Sequence, residues 1–177
     1  MIKIKEKNNK IKITPRFNCH GFNVEHFVEL YKKDNTDQFI KVLMRRLKYN
    51  QFNGIVLECN QVWLIDKYFP NFTEFARKLS DELHKEKMIL ITTIFPFTEN
   101  IGNYLSKQRF EYLSRYVDYY NLMTYDYFSH LNEKSQKEFK LLLAPIDWVR
   151  KSLDHYIDPK RANKNILYSK VLLVINN

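Results

Sequence analysis

Short apolar segments alternate with longer amphipathic ones along almost the whole chain. The segment MILITTIFPF at 88–97 is nearly continuous in apolar residues, as expected for a strand that is buried on both faces. Between such segments, apolar residues recur every three or four positions, which indicates helices with one buried face. The pattern predicts strands at 11–17, 53–59, 88–97, 118–128 and 165–176, and helices at 35–51, 70–87, 107–117 and 144–157.

Two of the predicted helices carry clear apolar stripes, which we expect to face the core. In the helix at 70–87 the apolar positions are Phe72, Phe75, Ala76, Leu79 and Leu83. In the helix at 35–51 they are Phe39, Val42, Leu43, Leu47 and Tyr49.

The order of elements is a strict strand–helix alternation, which predicts a fold of the α/β class with a parallel sheet. The segments that follow the strands are longer and richer in polar and aromatic residues than those that precede them. Ligands bind at this end of the strands in parallel α/β folds. A doubly wound sheet and a piece of a (β/α)8 barrel both fit the pattern.

Composition narrows the classes of function. The 177 residues suggest one domain, and a hydrophobic content of 45% is enough for a packed core. No apolar run reaches the roughly 18 residues of a membrane span, and the first residues, MIKIKEKNNKIKI, lack the apolar region of a signal peptide. The net charge is +9, but the basic residues are scattered, so nucleic acid is not an expected partner.

Cofactor and metal motifs are missing from the sequence. There is no glycine-rich phosphate-binding motif, so nucleotide binding has little support. Cys19 and Cys59 do not have the spacing of metal ligands, and the five histidines are dispersed. We therefore expect neither a metal nor another cofactor.

Four segments in this order resemble glycoside hydrolase family 18. They are FNGIVLE at 52–58, ITTIFPF at 91–97, LMTYDYF at 122–128 and APIDWVRKSL at 144–153. The resemblance is strongest to the chitinase-domain-containing, stabilin-interacting chitinase-like subgroup. It implies that residues 1–177 form a single partial (β/α)8 TIM barrel, without the first two strands and the last, since a full barrel needs about 250 residues.

The family's fourth strand ends in the motif DxxDxDxE, in which the last Glu is the general acid. An ungapped match puts Asn53, Val56, Glu58 and Asn60 at the four motif positions. Glu58 then stands at the supporting position, and Asn60 stands where the acid belongs. An amide has no proton that titrates near neutral pH, so Asn60 cannot protonate a leaving group.

The resemblance and the lost acid together favour a chitinase-like, carbohydrate-binding domain without hydrolytic activity. One alternative is a divergent or weakly active family 18 glycosidase that uses Glu58 as its acid. Another alternative is a truncated fragment without function. The expected ligand is an oligosaccharide of the N-acetylglucosamine type, and a protein partner is the alternative ligand.

The family resemblance also implies the residues that hold the ligand. The hydroxyl of Tyr125 would contact an N-acetyl carbonyl, and Asp126 would bind a sugar hydroxyl or amide. Met123 would line the barrel below them. Tyr127, and Trp63 in the segment after the second predicted strand, are either sugar-stacking residues or packing residues. With Glu58 and Asn60 they complete the candidate ligand-binding set.

Alternation along the first strand suggests a partner for Glu58. Lys12, Thr14 and Arg16 share one side of this strand. If that side faces inward, Arg16 lies beside the next strand and can pair with Glu58, because a buried carboxylate needs a partner.

Two features bear on the compartment. Cys19 and Cys59 lie near the ends of neighbouring strands, but an inward Glu58 turns Cys59 outward, which argues against a disulfide bond. The segment NFT at 71–73 is an N-glycosylation sequon, which matters only in a secretory protein. By family resemblance we expect a secretory or lysosomal location.

Overall fold

The computed structural model describes residues 8, 10–59, 66–97, 105–125 and 144–173. The strands in these ranges are β1 (Arg16–Asn18), β2 (Gly54–Glu58), β3 (Ile89–Ile94), β4 (Tyr119–Leu122) and β5 (Val171–Leu173). The α-helices are α1 (Val24–Leu30), α2 (Lys33–Tyr49), α3 (Phe69–Lys85), α4 (Lys107–Leu113), α5 (Ile146–Tyr156) and α6 (Lys164–Ser169). A short 3₁₀ turn, Asp66–Tyr68, precedes α3.

The five strands form one parallel sheet in the order β1-β2-β3-β4-β5, which confirms the predicted α/β class. Each strand pairs with the next one along the chain, and the connections contain helices, as a barrel segment requires. In the register of the sheet, Arg16 lies level with Val56, and Asn18 lies level with Glu58. The sequential order excludes the doubly wound alternative for these strands, because a doubly wound sheet reverses its strand order.

The core lies between the helices and one face of the sheet. Strand residues Leu57, Leu90, Ile94, Tyr120 and Leu122 are buried there with helix residues Leu79, Leu83, Phe110 and Leu113. Side chains alternate between the two faces of a strand. The residues between these core positions therefore point to the opposite, inner face of the sheet.

The stripe predicted for the helix at 70–87 is confirmed, because all five of its apolar residues are buried in α3. The stripe predicted for the helix at 35–51 is partly wrong. Val42 and Tyr49 of α2 are exposed, and the buried positions are Thr36, Ile40, Met44 and Leu47. These four follow a spacing of four, four and three residues, which is the same helical period on a different face.

Several elements differ from the predicted ones, since β1 starts at Arg16 and not at 11, and β4 ends at Leu122 within the predicted 118–128. Helix α1 was not predicted from the sequence. It begins with a capping box. The Asn23 side chain accepts a hydrogen bond from the backbone N–H of His26 at 3.0 Å, and the His26 ring accepts one from the backbone N–H of Asn23 at 3.1 Å. At the other end, the predicted strand 165–176 is wrong in its first half, because residues up to Ser169 form α6. Among the described residues, which end at 173, β5 occupies Val171–Leu173.

Gly54 sets the approach of β2 to β3. Its φ angle is +152°, a conformation that side-chain-bearing residues rarely adopt. A Cβ atom at this position would overlap with the backbone and side chain of Ile89, the residue that pairs with it. The two strands can therefore lie in this register only with glycine at position 54.

We expect Gly54→Ala to lower the free energy of unfolding by at least the roughly 1–3 kcal/mol of a strained backbone conformation, with the overlap against Ile89 adding to it. Gly21→Ala is the matched control, because Gly21 also has a positive φ angle of 85° but no atom within 4 Å of an added Cβ. Urea unfolding of the two variants measures the difference. Equal losses of stability would contradict the role of the β2–β3 contact.

Candidate functional site

Glu58 stands at the carboxyl end of β2, on the inner face of the sheet. The Nη1 atom of Arg16 donates to Oε2 of Glu58 at 3.2 Å, and Nδ2 of Asn18 donates to Oε1 at 3.2 Å. The side chain of Glu58 is 18% exposed, while that of Arg16 is 60% exposed. The predicted ion pair between Arg16 and Glu58 is therefore confirmed, and Asn18 is a second partner that the sequence did not indicate.

The alternation of β1 explains why two polar side chains meet Glu58. Arg16 and Asn18 are separated by one residue and point to the inner face, whereas Phe17 points outward and packs on Phe39 of α2 with ring centroids 5.3 Å apart. The outward aromatic residue holds the strand against the helices. The two polar residues are consequently fixed above the end of β2.

Asn53, the first position of the acid motif, has a structural role here. Its side-chain oxygen accepts from the backbone N–H of Ile13 at 3.0 Å, and its own N–H donates to the carbonyl of Ile13 at 2.8 Å. The N–H of Val56 then donates to the carbonyl of Pro15 at 2.8 Å. These bonds align the segment before β1 with β2, and so they place Arg16 beside Glu58.

Cys19 and Cys59 form a disulfide bond, which corrects the prediction that they do not pair. Cys19 follows Asn18, and its N–H donates to the carbonyl of Glu58 at 3.0 Å. The two cysteines are thus the next pair in the register, and both turn to the helix side, with Cα atoms 4.9 Å apart. The outward direction of Cys59 does not separate them, because Cys19 has the same direction.

The inner face beside Glu58 also carries residues that the sequence analysis did not single out. By extension of the register, Thr93 of β3 and Asn121 of β4 lie level with Glu58, and Tyr119 lies one step below. Thr93 is buried, whereas Asn121 and Tyr119 are half-buried. Their alternate spacing along the predicted strand 118–128 was the signal that could have identified Tyr119 and Asn121.

The end of β4 carries two of the predicted ligand-binding residues. Met123 is buried, and its N–H donates to the carbonyl of Ile94 at 3.1 Å, which extends the β3–β4 ladder by one residue. Tyr125 is half-buried. The predicted residues Asn60, Trp63, Asp126 and Tyr127 lie outside the described residues.

Helix α5 holds the segment that leaves β3. The hydroxyl of Tyr156 donates to the carbonyl of Phe95 at 2.6 Å, and the N–H of Phe97 donates to the hydroxyl of Ser152 at 3.0 Å. The ring of His155 stacks on Phe97 with centroids 4.7 Å apart. Burial lowers the pKa of the His155 imidazole, and the nearby Lys107 cation lowers it further.

Other parts of the described surface do not add to this site. One groove of about 920 Å³ lies between α2 and α3, and another of about 420 Å³ lies between α3 and α4. Both open on the outside of the helices, away from the ends of the strands. Within the described ranges there is no group of three or more acidic, histidine or cysteine side chains that could hold a metal ion, and no helix with the length and hydropathy of a membrane span.

A family model described as glycosyl hydrolases family 18 matches residues 1–175. The chain is also similar in structure to a class V chitininase from Pseudomonas fluorescens Pf-5, with a TM-score of 0.69, 22% identity, and coverage of 97% of this chain and 51% of that one. A Group IV chitinase from Ostrinia furnacalis gives a TM-score of 0.67 with 16% identity, and the shared region covers 97% of this chain and 48% of that one.

A third similar structure is the spore cortex-lytic enzyme SleL from Bacillus megaterium QM B1551, with a TM-score of 0.68 and 17% identity over 97% of this chain and 37% of that one. The chain thus spans between 37% and 51% of the length of these structures. At these identities the likeness shows the fold, which is a partial barrel of parallel strands connected by helices.

We expect the double variant Cys19→Ser/Cys59→Ser to lose about 2–5 kcal/mol of unfolding free energy, as is typical for a native disulfide in a small domain. The bond joins residues 40 positions apart, so its loss frees a long loop in the unfolded chain. Urea unfolding with and without reductant measures the loss. Reduced wild-type protein should match the variant, and a variant with the midpoint of the oxidised wild type would contradict the role of the bond.

Proposed function

Because the chain belongs to glycosyl hydrolase family 18, we propose that it is a chitinase-like domain that binds an N-acetylglucosamine-type oligosaccharide without hydrolysing it. The observation that carries this proposal is the engagement of Glu58, whose two carboxyl oxygens accept hydrogen bonds from Arg16 and Asn18. These are contacts that an ionised carboxylate makes. A general acid must instead hold a proton and give it to the leaving oxygen.

The sequence supports the same conclusion at the neighbouring position. In the ungapped match to the acid motif, Asn60 occupies the position of the general acid. The loss of general acid catalysis typically costs about 10²–10⁴-fold in rate. Glu58 is the only carboxylate between Gly54 and Asp66, and it forms an ion pair with Arg16.

The ligand-holding part of the site rests on the strand end after Leu122. Tyr125 and Asp126 would bind the N-acetyl group and a sugar hydroxyl, Met123 would form the floor, and Tyr127 and Trp63 would stack on sugar rings. One of the similar structures, the Ostrinia furnacalis chitinase, is a complex with allosamidin. That complex supports a carbohydrate ligand for this chain.

A weakly active glycosidase is the second candidate, and the retained carboxylate of Glu58 favours it. Glu58 lies one inward position deeper than the family's acid, about 6–7 Å along the strand. It would have to release Arg16 and Asn18 and reach the glycosidic oxygen of a substrate that sits correspondingly deeper. The half-buried inner face formed by Tyr119 and Asn121 offers that depth.

The proposed location is secretory or lysosomal, and the Cys19–Cys59 bond supports it, because disulfide bonds persist mainly in oxidising compartments. A protein partner at the same end of the sheet is the alternative to an oligosaccharide. Titration with the sugar distinguishes the two ligands directly.

We expect chitotetraose to bind the wild-type chain in a calorimetric titration. Tyr125→Phe should weaken binding by about 2–10-fold, since it removes one hydrogen bond of roughly 0.5–1.5 kcal/mol. Asp126→Ala should weaken it by about 10–150-fold, since a charged partner contributes roughly 1.5–3 kcal/mol.

The matched control for the titration is Tyr49→Phe, because Tyr49 is 85% exposed on α2, away from the ends of the strands. This variant should bind as the wild type does. If the wild-type chain releases no heat and shows no binding by a second method, such as ligand-observed NMR, the carbohydrate-binding proposal is wrong.

We expect no turnover of chito-oligosaccharides above the buffer rate, because the acid position holds Asn60 and Glu58 is paired. Release of reducing ends over long incubation measures this rate. Turnover that Glu58→Gln abolishes would establish the glycosidase alternative and refute the binding-only proposal. Turnover that persists in Glu58→Gln would indicate a contaminating enzyme, and repurification of the variant checks for it.

A further inference from the structure

We infer that Asn71 is an N-glycosylation site, modified while the chain folds in an oxidising secretory compartment. NFT at 71–73 is the only sequon of the Asn-x-Ser/Thr type in the sequence, and its middle residue is not proline. This inference does not depend on the proposed carbohydrate-binding function.

Asn71 lies in the first turn of α3 and is exposed. Pro70, the residue before it, is exposed as well, whereas Phe72 and Thr73 after it are buried. A glycan on the Asn71 side chain would therefore extend into solvent and leave the packing of Phe72 unchanged. The fold tolerates the modification at the residue that receives it.

Thr73 determines when the modification takes place. Thr73 is 5% exposed, and its hydroxyl donates to the carbonyl of Phe69 at 2.8 Å within the helix. The transfer reaction needs the hydroxyl of the sequon as well as the asparagine. Since the folded helix withholds this hydroxyl, the glycan must be added before α3 is packed.

The disulfide bond supplies an independent indication of the compartment. Cys19–Cys59 is buried in the core on the helix side, and such bonds are typical of proteins that fold in the secretory pathway or outside the cell. The compartment that oxidises this pair in a eukaryotic cell is the one in which N-glycans are added.

The donor in this step is an oligosaccharide linked to a polyprenyl pyrophosphate. The side-chain amide nitrogen of Asn71 forms a bond to the anomeric carbon of the first sugar, and the bond from that carbon to the pyrophosphate oxygen breaks. The amide loses one proton, and the lipid pyrophosphate leaves. No electrons are exchanged, so the step requires no oxidant or reductant.

The test is expression of the full chain behind a cleavable secretory leader in a eukaryotic cell. The total chain is analysed with and without peptide:N-glycanase, which releases the glycan and converts the carrier asparagine to aspartate. We expect a single shift in mobility for the wild type, and conversion at residue 71 in the peptide map. A wild-type chain without a shift overturns the inference.

Three variants test whether the modification depends on Asn71 and on a hydroxyl at position 73. Asn71→Gln and Thr73→Val should lose the shift completely, while Thr73→Ser should keep it, because serine retains the hydroxyl. A shift that remains in Asn71→Gln would place the glycan elsewhere and refute the site. The protein from cells and medium together is denatured and analysed. The modification of a variant is therefore measured even if that variant is not secreted.

A second measurement tests the order of events. A mild reductant that delays closure of Cys19–Cys59 should raise the fraction of chains that carry the glycan, since Thr73 then stays available for longer. Chains that are folded first and exposed to the transferase and donor afterwards should remain unmodified. Modification of the folded chain to the same extent would refute the role assigned to the buried hydroxyl.

Discussion

The pairing of β1 with β2 is the constraint on which the candidate site depends. Asn53 aligns the segment before β1, the register then puts Asn18 level with Glu58, and the next pair along, Cys19 and Cys59, is joined covalently. Because side-chain direction alternates along both strands, a single register determines which residues meet on each face of the sheet. Polar residues meet at the inner face, and the cysteines meet in the core. A slip of one residue would exchange the two faces and lose both.

This arrangement also explains how the domain tolerates a carboxylate on a largely buried face. Glu58 has lost solvent but gained a guanidinium and an amide, which together satisfy both of its oxygens. In the ungapped match to the acid motif, Glu58 stands at the supporting position and not at that of the acid. Here the space beside Glu58 is filled by Arg16 and Asn18 of the neighbouring strand, and Met123 and Tyr125 follow the end of β4.

The sequence predicted most of the fold because the strands are apolar and the helices are amphipathic. It also predicted the Arg16–Glu58 pair. That prediction required only that the two strands be neighbours and that alternate residues of a strand point to the same face. Prediction from the sequence failed at residues 165–169, since NILYS has no clear apolar period and fits helix or strand, and at α1, which at seven residues is too short to show one. The disulfide and the roles of Asn18 and Asn53 depend on the exact register between strands. No periodicity within a single strand contains that information.

Helix α5 has a consequence for how this fold can change over time. Its residues Ser152 and Tyr156 hold the main chain at Phe95 and Phe97, more than fifty positions earlier in the sequence. These bonds go to backbone atoms, so they are indifferent to which side chains stand in the segment after β3. The segment can therefore accumulate substitutions while its path stays fixed. A helix on the outside of the sheet thus fixes the path of the main chain that leaves β3.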